Sequence, residues 1–512
     1  MADWKLPIEK LKGYPHFDAF ISAEQATKLV TNSTYVSKHG FLPLLGYKKT
    51  FRRFAKKGDK REPKPRDICY ASRKDSYIFT YYRYILSELY EEELRNRSLS
   101  QCVLAYRKIV PFGKKSGKCN IDFAKEAFDK IKKLGDCQVI CLDIKSYFDS
   151  IDHQNLKKLW TFLLKDKRLP KDHYKVFKAV TNYTVVDRTQ LFSELNIYGP
   201  KMKFSPEDVR NGYLVPKRNI QTKICSGEAM RKAFSSIKKK EKRSYFKTNY
   251  KDHGIPQGIP LSDLLANINL INFDEYSNGV ASRLGGYYYR YSDDILFILP
   301  VDYYRAISLM VSIDGEISKS GRMLKISTQK SSIFSFRKTK NGQNCLLLHG
   351  EKGGNGLEYL GFRFNGKNTF IKDGTLSNVY RKAVHCLKRE CLAYARRYPD
   401  KDATELTELF DLHMFYQKFL TVEDYYAKQN NKRNWTFWSY AKRATSIMKD
   451  DRKEINKQLN KFHYFVCENL PKMMREASKK RQEILMNKRF YIYKKPLIVG
   501  KKERTVTSPT PA

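Results

Sequence analysis

Apolar positions along the chain fall into three kinds of pattern, and each predicts a different element. Two short continuous runs, Tyr287–Tyr291 and Ile295–Leu299, are aromatic and β-branched and are bounded by Gly286 and Pro300, the signature of paired, buried strands joined by a tight turn. A third run, Val139–Leu142, reads as a buried strand that delivers Asp143 at its end. Helical spacing appears from Tyr77 to Leu94, where Ile78, Tyr81, Ile85 and Leu89 share one face, and again over 121–134, 264–272 and 303–318. Short strands are predicted at Val103–Lys108 and in a pair around Glu358–Phe364. Residues 154–252 read as a long connection, and from about 371 onward the pattern is helical and basic.

Charge changes the picture next. Lys and Arg number 98 against 54 Asp and Glu, a formal net charge of +44 in 512 residues, so the chain repels itself unless a polyanion neutralises it. Aromatic residues make up 13% of the chain and supply stacking faces, which points to nucleic acid as the polyanion. Basic and aromatic residues are interleaved in two blocks. The first, Lys48–Lys57, holds Lys48, Lys49, Arg52 and Arg53 around Phe51 and Phe54. The second, Arg231–Lys251, holds Lys238, Lys239, Lys240, Lys242 and Arg243 among nine basic residues, with Phe234, Tyr245, Phe246 and Tyr250. Ten cysteines without a CxxC pair read as reduced core thiols. The N-terminus lacks the apolar stretch of a signal peptide and no run reaches about 18 apolar residues, so a cytoplasmic protein without a membrane partner is expected.

The candidate chemistry lies in acids. Asp293 and Asp294 sit side by side at the tip of the expected hairpin, where like charges repel unless a divalent cation joins them. The pair Asp450-Asp451, in a polar helical context, reads instead as a solvated face. Asp143 stands at a strand end, a position suited to a metal ligand, whereas Asp149 and Asp152 fall in the following turn, where helix capping is the expected role. Between these acid sites, His253-Gly-Ile-Pro-Gln-Gly-Ile-Pro-Leu-Ser-Asp263 forms a stiff loop leading into a helix N-terminus, a favourable place for an anionic or nucleotide ligand. Arg66, Arg73 and Arg107 are candidates for holding phosphate oxygens with a bidentate fork.

The order strand-Asp143, Pro-Gln-Gly loop, Tyr-Ser-Asp-Asp hairpin, Lys-bearing turn and Leu-Gly-Phe hairpin resembles that of the reverse transcriptases, specifically the bacterial group related to group II intron and retron enzymes. The match covers roughly residues 60–370. The resemblance implies an α+β, right-hand polymerase with an antiparallel palm sheet and a helical thumb. It implies a basic N-terminal extension over 1–60, fingers over 61–135, a palm over 136–370 with a basic insertion near 186–252, a helical thumb and C-terminal region over 371–504, and a disordered tail over 505–512. It implies RNA-directed DNA synthesis from dNTPs with two Mg²⁺ ions, Mn²⁺ substituting, held by Asp143, Ile144, Asp293 and Asp294.

By the same resemblance Gln257, Gly258 and Lys330 meet the incoming nucleotide, as do Arg66, Arg73 and Arg107, and Tyr359, Leu360, Gly361 and Phe362 hold the primer end. Phe148 matches the sugar gate, whose ring leaves no space for a 2′-hydroxyl. The hairpin departs from the commonest family form in having Ser292 where Ala often stands. The Arg66–Asp75 and Val103–Lys108 stretches and the basic helical C-terminal region look like the defence-associated bacterial branch. That branch implies antiphage activity and a dedicated structured non-coding RNA as partner, with a DNA product; a homo-oligomer is left open. Two rival readings stand beside this one: a template-independent or protein- or RNA-primed nucleotidyl transferase on the same palm, and an RNA-binding scaffold without activity.

Overall fold

A computed structural model describes residues 4–11, 14–51, 64–113, 116–202, 209–216, 220, 223–240, 246–351, 355–419 and 437–492. The fold is α+β, with antiparallel pairing dominant in its sheets and a helical C-terminal region. The chain divides into two units, one of residues 1–360 and 364–367, the other of 361–363 and 368–512.

The first unit holds two larger sheets. One takes β1 (Leu44–Phe51), β2 (Lys64–Tyr70), β4 (Thr184–Asp187) and β7 (Phe246–Thr248) in the order β2-β1-β4-β7, with β1 and β4 parallel and the other pairs antiparallel. The other takes β3 (Cys137–Asp143), β8 (Tyr287–Tyr291), β9 (Asp294–Leu299), β10 (Ser332–Thr339) and β11 (Gly342–His349) in the antiparallel order β11-β10-β3-β9-β8. A separate hairpin joins β5 (Tyr198–Met202) to β6 (Val209–Tyr213).

The five-stranded sheet is fixed in register by burial. Leu296, Phe297, Ile298 and Leu299 of β9 and Val139 and Ile140 of β3 are fully buried, and each side chain of that size contributes about 1.5–3 kcal/mol when removed from water. Because consecutive residues are buried, both faces of the sheet are covered, and a slip of one residue would exchange the side chains packed on the two faces. That register places Asp143 directly opposite Asp294, the Cα partners at the end of the β3–β9 ladder. The same core contains Tyr82, Leu86 and Tyr90 of the helix Arg73–Asn96 and Leu264, Leu265 and Ile268 of the helix Ser262–Asn269.

Three expectations are corrected in the first unit. Val103–Lys108 forms no strand: Tyr106 adopts a left-handed φ of 64°, which breaks the extended path, and only Val103 makes a single bridge to Arg290. The described residues of the long connection 154–252 contain the helices His153–Leu163, Lys171–Thr181, Arg188–Glu194 and Gly227–Lys240 besides four short strands. Phe234, read as a base-stacking face, meets Phe17 and Phe246 edge-on at centroid distances of 5.5 and 4.8 Å, because the amphipathic helix that carries it turns its apolar stripe to a local core.

In the second unit the long helices Asp373–Arg397 and Arg452–Ile492 share a core of Leu387, Cys391, Ala395, Phe462, Val466, Leu470 and Met474, spaced four residues apart along each helix. The buried Arg481 donates through Nη1 to the carbonyls of Ala395, Tyr398 and Lys401 at 3.3–3.4 Å, satisfying backbone acceptors at and just beyond the end of the first helix. The pair Asp450-Asp451 is not a solvated face throughout: Asp450 is exposed, but Asp451 is buried in a short 3-10 turn.

Candidate active site

The site begins at the turn between β8 and β9. Ser292 adopts φ 60°, a conformation that costs a side chain-bearing residue energy and persists where neighbours impose it. Those neighbours are identifiable. Ser292 Oγ shares a 3.0 Å hydrogen bond with Tyr106 Oη, and the Ser292 carbonyl accepts from Arg290 Nη1 at 3.1 Å. Ile144 N donates to the Asp293 carbonyl at 3.0 Å, joining the turn to the end of β3. The turn therefore holds Asp293 and Asp294 close to Asp143, with Asp294 exposed and Asp293 partly so.

Beneath the turn is a buried ionic network that sequence reading missed. Arg290 and Asp274 are both fully buried and bonded at two points, Nε–Oδ1 at 2.7 Å and Nη2–Oδ2 at 2.6 Å. Tyr288 Oη donates to Asp274 at 2.7 Å, and Arg290 Nη1 donates to Asn267 Oδ1 at 3.0 Å. Asn267 in turn donates to the Ala105 carbonyl at 2.8 Å. Burial works against the charge on Arg290, but the Asp274 carboxylate more than offsets it and holds the guanidinium well above its ordinary pKa. The available signal was an Arg inside an otherwise apolar strand run, since such a residue must carry its counter-ion inside with it.

Lys330 closes the other side. Ser327 N donates to the Asp143 carbonyl at 2.8 Å, and the 3-10 turn Thr328–Lys330 that follows brings Lys330 Nζ within 2.6 Å of both Asp143 carboxylate oxygens. Asp143 is 14% exposed and Lys330 41%, so this ion pair faces solvent on one side. Three carboxylates and the Ile144 backbone form a set of hard oxygen donors suited to Mg²⁺, which keeps several positions for water and substrate phosphates. Among the described residues no three Asp, Glu, His or Cys side chains are grouped so as to hold a metal ion, and both Asp143 carboxylate oxygens are taken by Lys330.

Phe148, five residues beyond Asp143, is half-buried in the 3-10 turn Tyr147–Ser150, and its carbonyl accepts from Ile255 N at 2.9 Å. That bond ties it to the loop of Gly254–Pro260. Gln257 O accepts from Cys69 N at 3.0 Å, Ser262 Oγ donates to Pro256 O at 2.5 Å, and Arg83 Nη1 donates to Pro260 O at 2.9 Å while pairing with Asp263. Gly258 has φ 119°, and a Cβ there would lie 2.4 Å from the Cys69 carbonyl, so only glycine fits. Asp152 does cap a helix, accepting from Asn155 N at 2.8 Å.

Two of the three arginines are committed elsewhere. Arg73 is buried, donates to the Asp18 carbonyl and lies 4.0 Å over the Phe20 ring. Arg107 grips Glu91 through Nε and Nη2 at 2.7 and 2.6 Å and reaches the Ser100 carbonyl at 3.0 Å, with only 4% of its side chain exposed. Neither can offer its fork to a phosphate without giving up these partners. Arg66 lies exposed on β2 opposite Lys49 of β1, where Lys48 and Lys49 are exposed as well.

Tyr359 ends the short strand Leu357–Tyr359 and is buried, and Leu360 beside it has φ 46° and accepts from Asn120 Nδ2 at 2.9 Å. Gly361 and Phe362 belong to the second unit. Lys238, Lys239 and Lys240 lie in the helix Gly227–Lys240. Arg52, Arg53, Lys242, Arg243 and the tail 505–512 lie outside the described residues.

No family model and no curated protein matches the chain. Among solved structures it is similar to the apo telomerase of Candida tropicalis truncated from the C-terminal domain, at 13% identity and a TM-score of 0.36 over 69% of this chain and 61% of that one. It is also similar to the telomerase of Candida albicans in complex with a fragment of telomeric RNA, at 12% identity and a TM-score of 0.37 over 95% and 66%. The corresponding complex from Candida tropicalis gives 14% and 0.34 over 93% and 68%. The chain spans about three fifths of the length of the first of these. At such identities and scores the likeness is distant.

Proposed function

We propose that the chain is a reverse transcriptase of the bacterial, defence-associated kind, making DNA from dNTPs on an RNA template with two Mg²⁺ ions, and that it works in antiphage defence with a dedicated structured RNA. The observation that carries the reading is the placement of Asp143 opposite Asp294, with Asp293 in the turn beside them. Like charges opposite one another on neighbouring strands destabilise a sheet. A fold that keeps them has a use for concentrated negative charge. Bound at these carboxylates and the Ile144 carbonyl, Mg²⁺ would lower the pKa of a primer hydroxyl and neutralise the leaving pyrophosphate.

The chain's own residues do the rest. Lys330, held at Asp143, is placed to exchange that carboxylate for a pyrophosphate oxygen as charge develops there. In this reading the loop of Gln257 and Gly258, packed against the Cys69 backbone, borders the nucleotide, and the Phe148 ring restricts the space beneath the sugar. Phe148→Ala is expected to admit ribonucleotides while deoxynucleotide incorporation falls less. Discrimination is a ratio of efficiencies, so single-nucleotide incorporation with dNTP and rNTP reads it directly, and an unchanged ratio rejects the gate.

A net charge of +44 exceeds what a short template–primer duplex neutralises, and basic surface outside the cleft points to a further RNA. Neutralising four Lys or Arg within 231–251 is expected to flatten the salt dependence of RNA affinity by about 0.7–0.9 per lost phosphate contact. Filter binding over a salt series, with the RNA that copurifies from cells carrying the native flanking sequence, measures this. Random cellular RNA and an unchanged slope would refute a dedicated partner. Product sequencing with and without added template separates the proposal from a template-independent transferase.

A further inference from the structure

Two residues with strained backbone meet at the acidic turn. Among the described residues seven that carry a side chain adopt a left-handed φ, and two of them, Tyr106 at 64° and Ser292 at 60°, are joined through their hydroxyls at 3.0 Å. A bulky residue at positive φ is an outlier, and such strain persists where the surroundings over-determine it. Three elements over-determine Tyr106. From β8, the Arg290 carbonyl accepts from Leu104 N at 2.9 Å; from the helix Ser262–Asn269, Asn267 donates to the Ala105 carbonyl at 2.8 Å; from the helix Arg73–Asn96, Arg83 Nη2 donates to the Tyr106 carbonyl at 3.2 Å. Arg83 is itself held by Asp263 and the Pro260 carbonyl.

All this effort places a side chain that is not part of the core. Tyr106 is 41% exposed, and among the described residues its hydroxyl bonds Ser292 Oγ alone. Packing therefore does not account for the strain at Tyr106, whereas holding Ser292 does. Ser292 is buried and directly precedes Asp293, so any rotation of its backbone is passed on to both acids of the turn. Unlike Arg290, which grips the Ser292 carbonyl from within the hairpin, Tyr106 reaches the turn from a separate segment.

We propose that Tyr106 is a positioning residue for the acidic turn: its hydroxyl, anchored from outside the hairpin, fixes Ser292 and so keeps Asp293 and Asp294 within reach of Asp143. The inference deepens the reading of the turn as a catalytic metal site and rests on it. Neighbouring carboxylates repel, and a turn free to relax would move them apart. A brace set during folding removes that freedom, and carboxylates already in place hold a divalent cation more tightly than carboxylates that must be gathered. Tyr106 does this through Ser292, and Arg83 is the anchor that keeps Tyr106 aimed.

The test uses the full chain, Tyr106→Phe, Ser292→Ala and the variant carrying both. Two quantities are read: Mn²⁺ binding by electron paramagnetic resonance without nucleotide or nucleic acid, and steady-state incorporation of a single dNTP. The parent should bind Mn²⁺ in a manner lost with Asp293→Ala and Asp294→Ala together. Tyr106→Phe should weaken that binding and lower kcat, each by about tenfold, with KM for the dNTP held within about twofold. Ser292→Ala removes the other end of the same bond and should match it. The double variant should be no worse than either single one, because the link can be lost only once. A part in folding alone would lower the unfolding midpoint and leave Mn²⁺ affinity and kcat per folded molecule unchanged; that outcome, or losses that multiply in the double variant, overturns the brace. A parent without acid-dependent Mn²⁺ binding overturns the metal reading of the turn and the brace with it. Acid-dependent binding that is equally strong in Tyr106→Phe overturns the brace alone, and decides the matter even where Ser292→Ala fails to fold.

Discussion

Changing Asp293 and Asp294 together to Ala is expected to lower DNA synthesis by about three orders of magnitude or more, while the melting temperature stays level or rises slightly. The loss follows from removing metal-anchoring charge that is worth several kcal/mol of transition-state stabilisation, each 1.36 kcal/mol being tenfold in rate. The gain in stability follows from the register of β3 and β9. Asp294 lies opposite Asp143, and removing one of two like charges so placed relieves repulsion, a gain that Lys330 at Asp143 keeps small. Primer extension at saturating Mg²⁺ and a thermal melt on the same preparation measure both arms. Substantial synthesis by the folded double variant would remove these residues from the chemistry.

The second large effect is expected beneath the turn. Arg290→Met leaves Asp274 charged and buried without its partner, at a cost of about 3–5 kcal/mol, and urea denaturation should show an unfolding free energy lower by that amount. Adding Asp274→Leu and Tyr288→Phe removes the stranded charge and the hydroxyl that depended on it, and most of the stability should return. Activity should not return with it. The Ser292 carbonyl has lost the donor that holds its left-handed turn, so a triple variant as stable as the parent but still slow would separate positioning from folding. Equal recovery of stability and synthesis would make the network a purely structural one.

How much of this was legible beforehand depends on the range of each interaction. The hairpin Tyr287–Leu299, the strand ending at Asp143 and the cap at Asp152 were readable because each is set by neighbours in sequence: apolar runs, a bounding Gly and Pro, an acid ahead of a helix. The proximity of Asp143 to the hairpin acids came from motif order, not from periodicity, since strand pairing over such a distance leaves no local mark. Arg73 and Arg107 show the converse. Their chemistry suits phosphate, but which partner an Arg takes is decided by the fold, and here Arg73 takes the Asp18 carbonyl and Arg107 the Glu91 carboxylate. Asp274 escaped notice because a lone acid on a helix looks solvated until the helix is packed against β8. The folded stretch 154–252 was missed for a different reason: its strands are only three to five residues long, too short for alternation to declare itself.

The loop Gly254–Pro260 is held from five separate directions, by Phe148, Cys69, Asn249, Ser262 and Arg83. A ligand meeting it therefore has little backbone disorder to remove, and fixing one residue's backbone costs about 1–2 kcal/mol at room temperature. Several residues' worth of that cost has already been met during folding. Amide protons of Gly254 and Ile255, which donate to the Ile151 and Phe148 carbonyls, should accordingly exchange at nearly the same rate with and without nucleotide, and affinity for the loop should reside in contacts made instead of in order imposed.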